Sequence, residues 1–390
     1  MRDPVRQAPP GLYAHAGQAL QGTRGLRILV AGDGHSELHE QPVLETFRAL
    51  GHDARGFLWH GYFRPPAGAL ARRLLWPFYR AQDKFVRGPM VSRLNRDLVR
   101  LAAEFRPELL FVYRGTHVTA TALRSIRSLV PGISIAGYNN DDPFGPGQPG
   151  YRWRHFLDCL PEYDIALAYR HHNLDDFTRH GARRVRLLRS WFIPERNHPV
   201  RLAPQDSEQF ASDVVFAGHY ENDGRVELLE AVARQGWRLR LFGPANYWNP
   251  VLARSVVLRH LRPVRQVWGE EYNKALCGAK VALCFFSRLN RDTYTRRCFE
   301  IPATGTLMLS EYSDDLASLF AEGLEADYFR SKEEMLAKLA HYIGDDARRH
   351  AIAAAGMARV SADGHDIRSR LRELLDWMTT AGLLGGDGHA

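Results

Sequence analysis

Asp213-Val214-Val215-Phe216-Ala217-Gly218 is a short apolar run that stops at a glycine, the pattern of a buried strand entering a turn. Arg225 to Gln235 follows with helical spacing, and further strand-like runs lie at Arg238 to Gly243, Val281 to Phe286 and Thr306 to Ser310. A helix-rich stretch from Lys332 to Leu375 closes this series. The same opening occurs once earlier, at Arg27-Ile28-Leu29-Val30-Ala31-Gly32. There a helix is expected from Glu40 to Leu50, with Val43, Leu44, Phe47 and Leu50 on one face and Gly51 as its cap. Strand-like runs recur at 107–113, 133–138 and 164–168. Two series of alternating strands and helices predict an α/β protein with two parallel sheets, each covered on both faces.

Between the series, Trp191 to Ser212 carries Pro194 and Pro199 and then polar residues without a period, which marks a linker. The expected division is a flexible segment at 1–25, a first domain at 26–195, a second at 210–375 and a tail at 376–390, glycine-rich and disordered from Gly382. An insertion at 59–100 interrupts the first domain with aromatic and basic residues, among them Trp59, Arg72, Arg73, Trp76, Phe78, Arg80 and Phe85. It reads as one or two amphipathic helices broken near Pro77 and Pro89. Such helices suit three placements: against their own core, as the wall of a cleft, or on anionic lipid as a peripheral membrane contact.

The chain of 390 residues is 45% apolar and 25% charged, enough for two cores. Its net charge of +8 favours anionic partners such as nucleotide phosphates or an anionic membrane surface. No recognised nucleic-acid motif is present and the basic residues form no single stripe, so no nucleic-acid partner is expected. No window approaches eighteen apolar residues, and Met1 to Gly25 has no apolar signal region. The expected location is therefore the cytoplasm, including the inner face of the membrane. Four cysteines without a CxxC pair predict reduced core thiols, and the histidines lack ligating spacing, so no metal site is expected.

Two glycine turns have the composition of phosphate-binding turns. Ala31-Gly32-Asp33-Gly34-His35-Ser36 lacks the spacing of a known phosphate loop and fits an ordinary turn better. Gly218 and His219, with Asp223-Gly224-Arg225 after them, offer a guanidinium that grips phosphate bidentately. Asn139, Asn140, Asp141 and Asp142 follow a strand, where open α/β sheets place ligands, and fit equally an Asx turn before Pro143. Arg296, Arg297 and Glu300 open a helix between two strands. They suit a diphosphate and a ribose diol, or else a self-paired surface face.

Arg297-Cys298-Phe299-Glu300-Ile301-Pro302-Ala303-Thr304-Gly305 resembles the signature of the glycosyltransferases grouped with the CgeB spore-maturation proteins, relatives of the large retaining GT-B family. Asp345 to Val360, His365 and Arg368 resemble the closing part of the same group, and Asn139 to Phe144 resembles its NDDP segment. Tyr163-Asp164-Ile165, Asn173 and Gly181-Ala182 extend the likeness, which covers roughly 105 to 375. The resemblance implies a GT-B fold, two Rossmann-like domains facing each other across a cleft. It implies a nucleotide-sugar donor on the second domain, a glycan, lipid-linked glycan or protein acceptor on the first, transfer with retention, and no obligatory metal or other cofactor. The large family carries Glu-x7-Glu, whose first acid faces the sugar and whose second holds the ribose; here the pair is Asp292 and Glu300. Carried onto this chain, the donor would be held by Gly218, His219, Arg225, Arg296, Arg297, Glu300 and Gly305. Asp141 or Asp142 would act as base or orient the acceptor beside Asn139 and Asn140, an arrangement suited to inversion. The shorter acid at 292 also suits a catalytically silent nucleotide-sugar- or carbohydrate-binding protein.

Overall fold

A computed structural model describes residues 25–385. They divide into two compact units, residues 25–189 with 367–385, and residues 190–366. The expected flexible segment lies, apart from Gly25, outside the described residues, as do residues 386–390 of the tail.

The first unit begins with β1 (Arg27–Gly32), α1 (Glu40–Ala49), β2 (Asp53–Leu58), α2 (Ala69–Phe85) and α3 (Pro89–Phe105). It continues through β3 (Leu109–Tyr113), α4 (Ala120–Leu129), β4 (Ser134–Asn139), α5 (Gly150–Cys159), β5 (Ile165–Ala168), α6 (His172–Arg179) and β6 (Val185–Leu187). Its six parallel strands run in the order β2-β1-β3-β4-β5-β6. Every residue of β3, β4 and β5 is buried, as a sheet covered on both faces requires. The edge strands β2 and β6 were not expected. β2 is largely exposed and reads as polar, and β6 is only three residues long and half-buried at its ends, so neither stands out in a search for apolar runs.

The second unit contains α7 (Ser207–Phe210), β7 (Ser212–Ala217), α8 (Arg225–Arg234), β8 (Leu239–Phe242), α9 (Ala245–Leu252) and α10 (Gly269–Cys277). After these come β9 (Ala279–Cys284), α11 (Arg297–Ala303), β10 (Leu307–Glu311), α12 (Asp314–Ala317), β11 (Asp327–Phe329), α13 (Lys332–Gly344) and α14 (Asp346–Ala362). Its five strands are parallel in the order β11-β10-β9-β7-β8. Ser331 and Asp345 cap α13 and α14 by accepting from the Glu334 and Arg348 amides at 3.1 and 2.9 Å.

Three features depart from the sequence expectation. The helix α15 (Ile367–Thr380) carries the chain past residue 375, and it packs on α1 of the first unit. It buries Leu371, Leu374, Leu375 and Met378, and its spacing says that it is amphipathic without saying what it covers. Beyond it, the Leu383 carbonyl accepts from the Ser134 hydroxyl, so Gly382 to Gly385 are not a disordered tail. Pro77 does not break α2; it lies inside the helix on its exposed side, where the missing amide leaves no buried group unpaired. The break falls at Val86 to Gly88, with Val86 and Gly88 at φ of +46° and +132°, before Pro89 opens α3. Finally, Trp191 to Asn197 has no regular structure but is packed into the second unit. Trp191, Phe192 and Asn197 are buried, and the Ser190 amide donates to the Tyr294 hydroxyl at 3.0 Å.

Candidate functional site

In each sheet the second strand falls to one side of the first and the third to the other, which opens a crevice at the C-terminal ends of the strands. In the second unit the crevice lies between β7 and β9. Gly218 follows β7, and a Cβ there would stand 2.8 Å from the Phe216 ring and 3.2 Å from Nη1 of Arg297. Glycine thus lets the Arg297 guanidinium approach the turn. The turn is held from behind by the Trp248 indole, which donates to the Gly218 carbonyl at 2.9 Å. Gly243, after β8, packs so closely that any Cβ would collide with that carbonyl oxygen.

Arg297 and Glu300 stand three residues apart on α11 and so share one face, while Phe299, Ile301, Pro302 and Ala303 are buried. Phe299 stacks on the buried His365 ring with centroids 4.6 Å apart. Among the described residues Arg297 makes no ion pair. Its Nη2 reaches the Phe285 carbonyl at a long 3.5 Å, and its buried Nε has no hydrogen-bond partner. Glu300 is 5% exposed and accepts from the Tyr272 hydroxyl at 2.9 Å through Oε2, whereas Oε1 accepts from no described protein group. Burial pushes its carboxyl up, against the pull of Arg296, of the Tyr272 bond and of Arg297. A guanidinium and a carboxylate with unfilled capacity, beside a glycine turn, match a ligand that carries both an anion and a diol.

The other residues expected at this site take different positions. Arg225 is buried and committed internally: Nε and Nη2 fork onto Asp223 at 2.8 and 2.5 Å, Nη1 donates to the His219 carbonyl, and Nη2 also meets the Phe286 carbonyl at 3.3 Å. It therefore ties the glycine turn to the end of β9. His219 is exposed beside Gly218, and Arg296 is half-buried one residue before α11. Asp292 accepts from the Ser287 amide at 3.3 Å and closes the turn after β9, in which Arg291 takes a left-handed φ of +48°. Gly305, at φ +70°, ends α11 about 12 Å along the axis from Arg297. Its place in the motif is to stop the helix and feed β10. Tyr272, Gly243 and Trp248 were not foreseen. They lie 25 or more residues from the motif they support, and only the fold joins them.

In the first unit the crevice lies between β1 and β3, and the glycine turn there is filled by a side chain. Glu40 occupies it, accepting from the Asp33 and Gly34 amides at 3.0 and 3.2 Å, and a Cβ on Gly32 would collide with the Glu40 side chain. A cavity of about 310 Å³ opens beside it, lined by Asp33, Asp83, Lys84, Val86, Arg114, Thr116, His117, Pro149, Tyr151 and Arg152. Asp33 pairs with His35 at 2.6 Å and lies 3.5 Å from His60. Burial would raise the Asp33 carboxyl, but the His35 bond and the charges of His35, His60 and His117 hold it below its usual value. The same bond raises the His35 imidazole.

The NDDP segment is an Asx turn at this sheet's edge of the cavity. Asn139 is fully buried and its side-chain oxygen accepts from the Asp141 amide at 3.0 Å. Asp141 pairs with Arg114 at 2.5 Å, and the Asn140 carbonyl accepts from Arg170 at 3.1 Å. Asp142 is fully buried, bonded to the Phe144 amide, to Asn173 at 2.9 Å and to His172 at 3.2 Å, so it cannot meet a ligand as a base. Asp141 reaches the cavity only through Arg114. The pair Asp33–His35 was missed because an Asp-Gly-His turn has no distinctive spacing.

Residues 225–376 match a family model described as glycosyl transferase-like. No curated protein matches the chain. Among solved structures, HepE of Anabaena in complex with UDP and glucose is similar at 12% identity and a TM-score of 0.63, covering 91% of this chain and 100% of that one. Sucrose-phosphate synthase of Thermosynechococcus elongatus gives 13%, 0.64, 92% and 100%. A UDP-forming α,α-trehalose-phosphate synthase of Burkholderia xenovorans gives 15%, 0.61, 92% and 100%. The fold is accordingly that of the GT-B glycosyltransferases, with two Rossmann-like units.

Proposed function

We propose that this protein is a glycosyltransferase that moves a sugar from a nucleotide-sugar donor bound at the β7–β9 crevice. The observation that carries the reading is Arg297, a guanidinium without an ion pair, seated on a glycine turn three residues from the half-filled carboxylate of Glu300. In this reading Arg297 receives the diphosphate, Glu300 accepts from the ribose diol, and Gly218 and His219 border the phosphates. Arg225 acts as a positioning residue for that turn, and Gly305 as the stop of α11. The bond from the anomeric carbon to the diphosphate oxygen breaks, the acceptor hydroxyl attacks that carbon, and its proton passes to the departing diphosphate. Arg297 and Arg296 stabilise the negative charge as it develops on the leaving group. With that charge met by guanidinium the transfer runs without a metal, and attack from the face the diphosphate leaves, with the proton passing to it, retains configuration.

In this reading the acceptor, a glycan or a glycan-bearing lipid or protein, binds in the 310 Å³ cavity, where Asp33 and His117 would orient a hydroxyl and Asp141 holds Arg114. One observation favours a second reading, a nucleotide-sugar-binding protein without turnover: Asp292, one methylene short, spends a carboxylate oxygen on the Ser287 amide.

Thermal unfolding against UDP-, GDP-, ADP- and dTDP-linked sugars tests the donor site. A donor at a hundred times its dissociation constant stabilises by about 2.7 kcal/mol, and this gain is expected to vanish in Arg297→Ala and Glu300→Ala. No gain with any donor would sink the proposal. A gain without release of nucleoside diphosphate over a panel of glycan acceptors would establish the second reading. Release that persists in a chelator would support the metal-free mechanism, and release abolished by it would refute that part.

A further inference from the structure

No residue of α2 is buried, although the helix carries Leu70, Leu74, Leu75, Trp76, Phe78 and Phe85. Leu70, Leu74, Phe78 and Phe85 are 71%, 56%, 67% and 46% exposed. Steps of four, four and seven residues keep them on one stripe, about 22 Å long. Arg73, Arg80 and Lys84 are exposed along one margin of it, and the side facing α3 and α5 is formed by the half-buried Ala71, Trp76, Tyr79 and Gln82. Single exposed apolar side chains need no account, but a continuous row of leucine and phenylalanine on a helix with polar neighbours does. Four cations stand in this helix against one acid, Asp83. A surface complementary to that pattern is negatively charged outside and apolar just beneath, which describes an anionic bilayer leaflet. Among the described residues no helix is long and apolar enough to cross a membrane, so the contact lies in the plane of the surface.

We propose that α2 docks this protein onto anionic bilayers, with Leu70, Leu74, Phe78 and Phe85 in the headgroup layer and Arg73, Arg80 and Lys84 against lipid phosphates. The docked end of the helix includes Asp83 and Lys84, which also line the cavity beside β1 and β3. An acceptor borne on a lipid would therefore enter that cavity directly; this clause rests on the glycosyl-transfer reading, whereas docking itself does not.

Co-sedimentation of the full chain with phosphatidylcholine vesicles, with and without roughly a third phosphatidylglycerol, tests the docking. Binding is expected only to the anionic vesicles and is expected to weaken in high salt. Leu74→Asp/Phe78→Asp is expected to abolish it, and Arg73→Ala/Arg80→Ala to weaken it on the order of tenfold. All four side chains are exposed, so both variants should keep the wild-type Tm. They should also keep the donor-induced shift in unfolding temperature, which separates failure of docking from failure of the donor site. Lack of binding to anionic vesicles, or equal binding to both kinds, would overturn the proposal. So would a dimer in sedimentation velocity that Leu74→Asp/Phe78→Asp dissolves, because the stripe would then be an interface between copies of this chain.

Discussion

Arg225 and Arg297 are the same residue type at one crevice, and their surroundings give them different work. Arg225 is saturated by Asp223 and two carbonyls, so its loss should loosen the turn. Arg297 makes no ion pair among the described residues and should act on ligand directly. Gly218→Ala is expected to push a methyl into Nη1 of Arg297 and the Phe216 ring. Such overpacking costs about 1–3 kcal/mol, and donor affinity measured by calorimetry should fall more steeply than Tm. Glu300→Gln should weaken donor binding about ten- to a hundredfold, the worth of a charge-assisted hydrogen bond. His35 and Asp33 carry a pH signature. The His35 imidazole is raised above 6.5, so its stabilisation is full below that value and is lost as pH rises through the raised one. The Asp33 carboxyl is lowered below 3.8, so its part is full above that value and is lost as pH falls through the lowered one. The excess Tm of the wild type over His35→Ala should therefore peak near pH 5 and fade toward both alkaline and strongly acid solution.

At the scale of the element, α11 is a seven-residue helix that carries Arg297 and Glu300, the two side chains proposed for the donor, while its other face packs on α14. Gly356 of α14 lies beside Pro302 of α11 and lets α14 close onto the segment before β11, since a Cβ there would collide with the Glu325 carbonyl. In a free helix Gly→Ala would be favourable by about 1 kcal/mol. Here the clash should prevail, and Gly356→Ala is expected to lower Tm. Because α14 supports α11, donor affinity should fall in the same variant, which calorimetry would read. An unchanged affinity would mean that α14 is a passive cover.

On the scale of the whole chain, the first unit is completed by the last helix. Leu371, Leu374, Leu375 and Met378 are buried in it, and at about 1.5–3 kcal/mol for each side chain α15 contributes about 6–12 kcal/mol. That matches the entire stability of a typical domain. A chain ended at residue 366 is therefore expected to show fast amide exchange throughout residues 25–189, while residues 190–366 keep their protection. Protection retained in both units would refute the account.

The sequence by itself determined the two series of strands, because buried parallel strands are runs of apolar residues such as Leu109 to Tyr113 and Ser212 to Ala217. It also put Arg296, Arg297 and Glu300 together on one short helix, since spacing there is a local property. Only the tertiary structure decided which arginine stands free, that Glu40 fills the first glycine turn, that Asp142 is buried among Asn173 and His172, and that α15 returns to α1. Each of these depends on partners distant in the chain or on which neighbour claims a donor first. Burial and hydrogen-bond competition act through space, and no periodicity along the chain records them.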